Sequence, residues 1–186
     1  MFELERFVDD CLKASGQPDS QIAIRELLQE AMSDQASLIA AIGEPSKAGL
    51  GRIHVSDNLT ILNLAWGPGM TLRPHDHQMW AVIGIYGGRE DNIFWRRIED
   101  EESGEATIEA AGAKTLRRGE VATLGWNIIH SVTNPLDKLT GGLHIYGGNF
   151  FEEPRSEWDP EALTEQPLDT ARLAAEFERS NRRMMG

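Results

Sequence analysis

The chain has 186 residues, of which 40% are hydrophobic and 26% are charged, a balance typical of a globular protein with a sizeable core. Its formal net charge of −12 argues against the Lys/Arg-rich surface that nucleic-acid binding requires. The chain contains no run of the roughly 18 apolar residues that a membrane span needs, and its acidic N-terminus lacks a secretory pattern. One cysteine excludes an internal disulfide, so we predict a cytoplasmic protein without nucleic-acid or membrane partners.

Up to about residue 42, apolar residues recur at intervals of three and four, which predicts helices. Gly16-Gln17-Pro18 should divide this region into two helices, with Ser20 as the N-cap of the second. The single cysteine, Cys11, lies on the apolar side of the first helix and is predicted to be buried.

From about residue 51 to residue 148, short β-rich runs alternate with Gly, Pro, Asn and Asp, which predicts a sandwich or a closed barrel. The runs lie at residues 60–66, 79–86, 92–98, 121–124, 128–132 and 143–146. The acidic run at 99–102 is predicted to be a solvated turn, and residues 154–167 to be irregular. Asp169 should cap a last helix that extends from residue 170 to about residue 183.

We find no internal repeat and no linker, so we predict a single domain over residues 1–186. Residues 1–45 would form the N-terminal helices, residues 51–150 the barrel, and residues 151–186 a C-terminal loop and helix. The helices are expected to pack outside the barrel.

Two of the five histidines form the sequence His75-Asp76-His77. Residues two apart on an extended segment point to the same face, so His75 and His77 can bring two imidazoles to one point, as a metal ion requires. A third histidine, His130, lies four residues before Asn134.

The residues around these histidines follow the two cupin motifs, G-x5-H-x-H-x3,4-E-x6-G and G-x5-P-x-G-x2-H-x3-N. The matching residues are Gly69, His75, His77 and Gly88 for the first motif, and Gly119, His130 and Asn134 for the second. Ala81, Gly125 and Asn127 stand where the motifs have Glu, Pro and Gly. We therefore predict a mainly β cupin fold (a double-stranded β-helix, or jelly-roll barrel) in which His75, His77 and His130 hold one metal ion.

The absent glutamate predicts a site made of three neutral imidazoles. A divalent ion held in this way keeps its double charge and has open positions for an anionic ligand such as a thiolate. Imidazole suits iron, zinc, copper and nickel alike, so these ligands do not select the metal.

Three stretches resemble the thiol dioxygenases of the cysteine dioxygenase type I family, in particular the bacterial 3-mercaptopropionate dioxygenases. They are RPHDHQMWAVIGIYGG, IIHSVTNP and GLHIYGGNFFEEPRSEWDP, within roughly residues 58–159. The resemblance implies one mononuclear non-haem Fe(II), although a purified sample could carry another divalent metal. It also implies a reaction in which both atoms of O2 end on the sulfur of a small thiol, giving a sulfinic acid.

In this family a serine, a histidine and a tyrosine form a relay beside the iron. His144 and Tyr146 match the histidine and the tyrosine, whereas Gly142 stands in place of the serine. The resemblance therefore implies catalytic roles for His144 and Tyr146, and we expect a water or another side chain to meet the far nitrogen of His144. The cysteine–tyrosine crosslink of the mammalian enzymes cannot form, because Cys11 is the only cysteine.

The bacterial branch also binds the substrate carboxylate with an arginine nine residues after the tyrosine, a position that Arg155 occupies. A guanidinium matches a carboxylate through two parallel hydrogen bonds. The alternative is a loop arginine paired with a neighbouring glutamate, at position 152, 153 or 157. Arg52 is a second candidate for this role, because the cysteine-specific branch takes its arginine from upstream of the first histidine.

These residues predict a thiol dioxygenase whose substrates are O2 and a small carboxylated thiol, similar to 3-mercaptopropionate or cysteine. Two other functions stay open: another metal-dependent cupin enzyme, or a non-catalytic metal-bound cupin that acts as a sensor or binding module.

Overall fold

The structure is a computed structural model that describes residues 1–99 and 106–185. It begins with three helices, α1 (Leu4–Ser15), α2 (Ser20–Ser33) and α3 (Gln35–Ile42). The predicted break at residues 16–18 is present. A second break separates α3 from α2 at Asp34, because the Asp34 side chain caps α3 by accepting a hydrogen bond from the backbone N–H of Ser37. The N-cap of α2 is Asp19 and not the predicted Ser20, which is already the first helical residue.

The described residues contain eleven strands, which form two antiparallel sheets. The strands are β1 (Gly49–Val55), β2 (Thr60–Trp66), β3 (Thr71–His75), β4 (Ala81–Gly87), β5 (Arg89–Glu99), β6 (Ala106–Arg117), β7 (Val121–Leu124), β8 (Ile129–Thr133), β9 (Thr140–Tyr146), β10 (Ser156–Trp158) and β11 (Glu165–Pro167). The first sheet has the order β1-β2-β9-β4-β7, and the second has the order β11-β10-β3-β8-β5-β6.

The two sheets enclose one apolar core. Leu62 and Leu64 of β2 contribute to it from the first sheet, and Leu72 of β3 and Val132 of β8 from the second. This face-to-face pair of antiparallel sheets has the arrangement of a double-stranded β-helix, and the predicted mainly β fold is confirmed.

The three N-terminal helices cover the outer face of the first sheet. Leu28 of α2 and Leu38 of α3 pack in the same cluster as Val82 of β4, and both leucines are fully buried. Cys11 lies in this cluster too, as predicted, and burial raises the pKa of its thiol to about 12. Because side chains alternate along a strand, the central strands of the first sheet, β2, β9 and β4, are buried on both faces.

The C-terminal helix, α4 (Thr170–Met185), also lies outside the barrel wall, where it covers one end of the interior. Phe177 stacks on Trp66 with ring centroids 5.7 Å apart. Asp169 caps the helix as predicted, because its side chain accepts a hydrogen bond of 2.9 Å from the backbone N–H of Arg172. No helix in residues 1–99 or 106–185 is long and apolar enough to cross a membrane.

The motif residues other than the histidines build turns. Gly69, Gly88 and Gly119 all have positive φ, and a Cβ at Gly88 would lie 2.3 Å from the hydroxyl oxygen of Thr140. The fully buried side chain of Asn134 donates to the backbone carbonyls of residues 66, 67 and 138. The cupin motif is therefore largely a set of backbone constraints around the histidines.

Apart from the N-cap of α2 and the break before α3, the structure differs from the sequence prediction in several strands, and one predicted segment lies partly outside the described residues. Residues 154–167 are not wholly irregular, because they contain β10 and β11, and Glu157 of β10 pairs with His75 of β3. The sequence also missed β1, β3 and β6. In the acidic run, Glu99 is the last residue of β5, and residues 100–102 lie outside the described part of the chain.

Candidate metal centre

Three histidines converge inside the barrel. His75 ends β3 and pairs directly with His130 of β8, while His77 follows two residues after His75. One ring nitrogen of each lies within 4.8 Å of the others, and the Nε2 atoms of His77 and His130 are 3.4 Å apart. All three side chains are buried. The structure thus brings together the three histidines that the sequence predicted as metal ligands.

The outward-facing nitrogens of two of these rings have acceptor partners. Nδ1 of His75 lies 2.9 Å from the carbonyl oxygen of Arg73, and Nδ1 of His130 lies 2.7 Å from Oδ1 of Asn92. Since both partners are acceptors, each Nδ1 carries the hydrogen and each Nε2 lone pair is free to bind a metal. Hydrogen bonds of this kind orient the imidazole ligands of metal sites.

Burial keeps the three imidazoles neutral. It lowers the pKa of His75 to about 4, and it lowers the pKa values of His77 and His130 well below 6.5. The neighbouring imidazoles lower the pKa values of His77 and His130 further, because two cations in one site repel each other. Three neutral nitrogen donors that face one point fit a divalent transition-metal ion.

The histidines line a small cavity. Its volume is about 40 Å³, which is room for only a few water molecules. Tyr146, Phe150 and Arg155 line it beside the histidines, and residues of α4 close it. Such a cavity suits a ligand with few non-hydrogen atoms.

Tyr146 and His144 belong to β9 and lie next to the histidine cluster. The Tyr146 hydroxyl is 3.4 Å from Nδ1 of His144, and the Tyr146 ring is centred 5.0 Å from that of His77. Both side chains are buried, and burial raises the pKa of the Tyr146 hydroxyl. His144 is not among the nitrogens that converge, so it stands beside the candidate metal centre and outside the ligand set.

A carboxylate meets the far nitrogen of His144. Oε2 of Glu90 lies 3.4 Å from His144 Nε2, close enough for an electrostatic contact although the direction is poor for a hydrogen bond. Burial alone would raise the pKa of Glu90, but its interactions with His144, Asn92 and Trp66 outweigh burial and lower that pKa to about 2.

Glu90 and Asn92 were not predicted as site residues from the sequence. The available signal was their spacing on β5, where alternate residues face the same side and Glu90 and Asn92 both point into the barrel, fully or nearly fully buried.

Arg155 lies in the cavity wall without a carboxylate partner. Its guanidinium carbon is 3.9 Å from the centre of the Phe150 ring, and its Nε is buried without a hydrogen-bond partner. Within the described residues it forms no ion pair, so the alternative pairing with a neighbouring glutamate is absent. Burial lowers its pKa. The two other arginines of the cavity are paired, Arg73 with Asp159 and Arg172 with Glu157.

The second candidate for carboxylate binding, Arg52, is elsewhere. It is exposed on β1 with its guanidinium 3.9 Å from the centre of the Phe151 ring, and it does not line the cavity. Its position gives no support for a role in this site.

No family model matches the chain. Among solved structures, an RmlC-like cupin family protein with a double-stranded β-helix fold from Methanocaldococcus jannaschii matches with 8% identity and a TM-score of 0.47, over 59% of this chain and 88% of that chain. An uncharacterised protein with a double-stranded β-helix domain from Klebsiella pneumoniae matches with 9% identity and a TM-score of 0.45, over 61% and 81%. Oxalate oxidase in complex with glycolate matches with 12% identity and a TM-score of 0.42, over 57% and 53%. Similarities of this size do not identify an activity.

Proposed function

We propose that the chain is a mononuclear non-haem iron thiol dioxygenase that converts a small carboxylated thiol and O2 into the sulfinic acid. The observation that carries the proposal is an unpaired guanidinium, that of Arg155, in the same small cavity as three neutral histidines. A substrate with one soft anionic end and one carboxylate end is complementary to both.

The three histidines would hold the iron through their inward-facing nitrogens. When bound, Fe(II) supplies the open coordination positions and the redox chemistry that O2 activation requires. The residues of this chain fix those nitrogens: the Arg73 carbonyl orients His75, and the Asn92 amide orients His130.

Arg155 would select the substrate. A carboxylate that enters a dry cavity loses its hydration, and this cost is prohibitive unless a cation meets it. The Arg155 guanidinium has donors to offer because no carboxylate of the described residues occupies them. It would anchor one end of the substrate and leave the sulfur directed toward the histidines.

The Tyr146 hydroxyl stays protonated at neutral pH, since burial raises its pKa. It is therefore a hydrogen-bonding group on the wall of the cavity, held by His144. Phe150, Trp66 and Phe177 provide apolar walls that limit the entry of water. Both oxygen atoms of O2 end on the substrate sulfur, so the net reaction, R–SH plus O2 giving R–SO2H, needs no external reductant.

The proposal is tested by anaerobic reconstitution with Fe(II), followed by a panel of thiols with measurement of O2 uptake and detection of the sulfinate by mass spectrometry. We expect one O2 consumed per thiol, with 3-mercaptopropionate or cysteine preferred over 2-mercaptoethanol. A protein that binds iron and a thiol but never consumes O2 would be a non-catalytic cupin, and iron-dependent turnover of a different substrate class would make it another cupin enzyme.

A further inference from the structure

A second feature of the interior is the buried carboxylate of Glu90, which has a relative exposure of 0%. Its Oε2 accepts a hydrogen bond of 2.7 Å from Trp66 Nε1 and lies 3.4 Å from His144 Nε2, while its Oε1 accepts one of 3.0 Å from Asn92 Nδ2. In the described parts of the chain no lysine or arginine pairs with it. The carboxylate is therefore held by the side-chain N–H groups of Trp66 and Asn92, with the His144 ring beside it.

An acceptor-only group in this place determines the orientation of its neighbours. A carboxylate offers no hydrogen and repels a lone pair, so its Oε2, 3.4 Å away, electrostatically favours the His144 tautomer with hydrogen on Nε2, which leaves the lone pair of Nδ1 facing the Tyr146 hydroxyl. Asn92 must present its amide hydrogens to Glu90, which turns its oxygen toward Nδ1 of His130, 2.7 Å away. One carboxylate thus acts on two histidines, one beside the cavity and one in the candidate ligand set.

We propose that Glu90 is the positioning residue of this site: it holds His144 in the tautomer that faces Tyr146 and, through Asn92, holds His130 with Nε2 free for a metal. The effect on turnover rests on the proposed function, whereas the effects on tautomer and metal affinity do not.

The surroundings of Gly142 support this role. A Cβ built at Gly142 would lie 3.2 Å from His144 Nε2, so a side chain on β9 could reach the same nitrogen. Glycine supplies no such side chain, and His144 Nε2 makes no hydrogen bond within the described residues, where the Glu90 carboxylate lies 3.4 Å from it. Glu90 reaches the nitrogen from the opposite sheet, since β5 and β9 belong to different sheets.

The decisive variant is Glu90→Gln, which preserves shape but has a single acceptor oxygen. Its NH2 group must then face a donor, either Asn92 on one side or Trp66 and His144 on the other. The matched control is Asp91→Asn, which removes the same charge one residue away. The Asp91 carboxylate accepts from Arg89 and Thr115 and does not contact His144.

Three measurements follow. In the zinc-loaded parent protein, long-range 1H–15N NMR should show His144 with its hydrogen on Nε2, and Glu90→Gln should lose this preference. Affinity for Zn(II) or Fe(II) should fall by roughly 10–100-fold, as is usual when a partner of a metal-site histidine is removed, and turnover should fall even at equal iron occupancy. The KM for the thiol should change little, because Arg155 is untouched. Asp91→Asn should match the parent in all three.

A second variant separates the effect on His144 from the effect on His130, and it can be used if Glu90→Gln does not fold. Asn92→Ala keeps the carboxylate against His144 but cuts the link to His130. It should weaken metal binding while the His144 tautomer is preserved. In addition, Tyr146→Phe should cost little further turnover in the Glu90→Gln background, because both changes act on the same relay.

A Glu90→Gln protein with the parent His144 tautomer and the parent metal affinity would overturn the proposal. So would an Asn92→Ala protein with unchanged metal affinity. If the parent protein oxidises no thiol, the proposed function fails, but the NMR and metal titrations still decide the role of Glu90.

Discussion

The two ring nitrogens of His130 have different surroundings. Nε2 faces His77 at 3.4 Å inside the cavity, and Nδ1 contacts Asn92 at 2.7 Å on the other side. A ring fixed on one side by a hydrogen bond presents its other nitrogen in a defined direction without further loss of entropy on metal binding.

We expect His130→Ala to lose most bound iron, because two imidazoles cannot replace the three-nitrogen set. Metal analysis after reconstitution measures the iron, and circular dichroism checks that the barrel remains. His54→Ala is the control, since His54 is half-buried on β1 and outside the site. Full iron occupancy in His130→Ala would contradict the assignment of this residue as a ligand.

At Arg155 the expected effect depends on the substrate. Loss of a buried charge partner costs about 2–5 kcal/mol, so Arg155→Ala should lower kcat/KM for 3-mercaptopropionate by roughly 30-fold or more. The effect on 2-mercaptoethanol should be small, because that thiol has no carboxylate. Arg155→Lys should rescue only in part, since an ammonium cannot form the planar pair of hydrogen bonds.

The control for this experiment is Arg73→Ala. Arg73 lines the same cavity, but its guanidinium already has Asp159 at 3.5 Å as a partner. Arg73→Ala should therefore lower kcat/KM for both thiols alike and only mildly. Equal losses on both thiols in Arg155→Ala would show that Arg155 is a structural residue.

At the scale of the elements, the sequence predicted the strands with strong β propensity and missed those without it. β2 and β7 have the predicted bounds. β3 includes Arg73-Pro74, where the register with β8 is irregular, and β6 contains an exposed Ala-Ala-Gly-Ala run that pairs only with β5 among the described strands. Such segments become strands through tertiary pairing, which local propensity does not report.

The same reason limited the prediction of the site. The histidines, Tyr146 and Arg155 were identifiable because they lie at fixed offsets in continuous motifs. Glu90 was not, because its partners Trp66 and His144 are far from it in sequence, and only the packing of the two sheets brings them together.

Helix α4 gives a prediction at this scale. It is attached to the barrel by Phe177, which is 6% exposed, and by two hydrogen bonds between the Asn181 side chain and the backbone of Ala48. Phe177→Ala should destabilise the docked helix by about 3 kcal/mol or more, as expected for a buried Phe-to-Ala change. Hydrogen exchange of the α4 amides should accelerate, and the KM for the thiol should rise as the cavity opens.

Glu178→Ala is the matched control, because Glu178 lies on the same helix with its side chain 72% exposed. In Glu178→Ala, the α4 amides should exchange as they do in the parent protein. If Phe177→Ala left exchange in α4 unchanged, the helix would not depend on the cavity wall for its position.

For the molecule as a whole, the buried histidines predict sensitivity to acid in the metal-free state. The folded-state pKa of His75 is about 4 against an ordinary value of 6.5, so the unfolded chain binds more protons between these values. Stability is therefore full above pH 6.5 and is lost as the pH falls toward 4. The lowered pKa of Glu90 acts in the same direction, but only below about pH 4.5.

Between pH 7.5 and pH 5, His75 alone should remove roughly 2 kcal/mol from the free energy of unfolding. Urea titrations of the metal-free protein at several pH values measure this loss. A saturating metal should protect the protein near neutral pH, because it binds the deprotonated rings. His75→Gln should show a shallower pH dependence, and a parent protein with flat stability over this range would contradict the neutral state of the buried rings.

Other statements about the whole molecule stay predictions, namely the single domain, the cytoplasmic location and the absence of nucleic-acid and membrane partners.

The position of Glu90 has a mechanical consequence. Its strand, β5, belongs to one sheet together with β3 and β8, whereas Trp66 and His144 belong to the other. Apolar contacts between two sheets are non-directional and tolerate sliding, but hydrogen bonds do not. Through its hydrogen bond from Trp66, the Glu90 carboxylate therefore fixes the alignment of the two sheets. It thereby sets the distance between the sheet that carries the histidine cluster and the sheet that carries Tyr146.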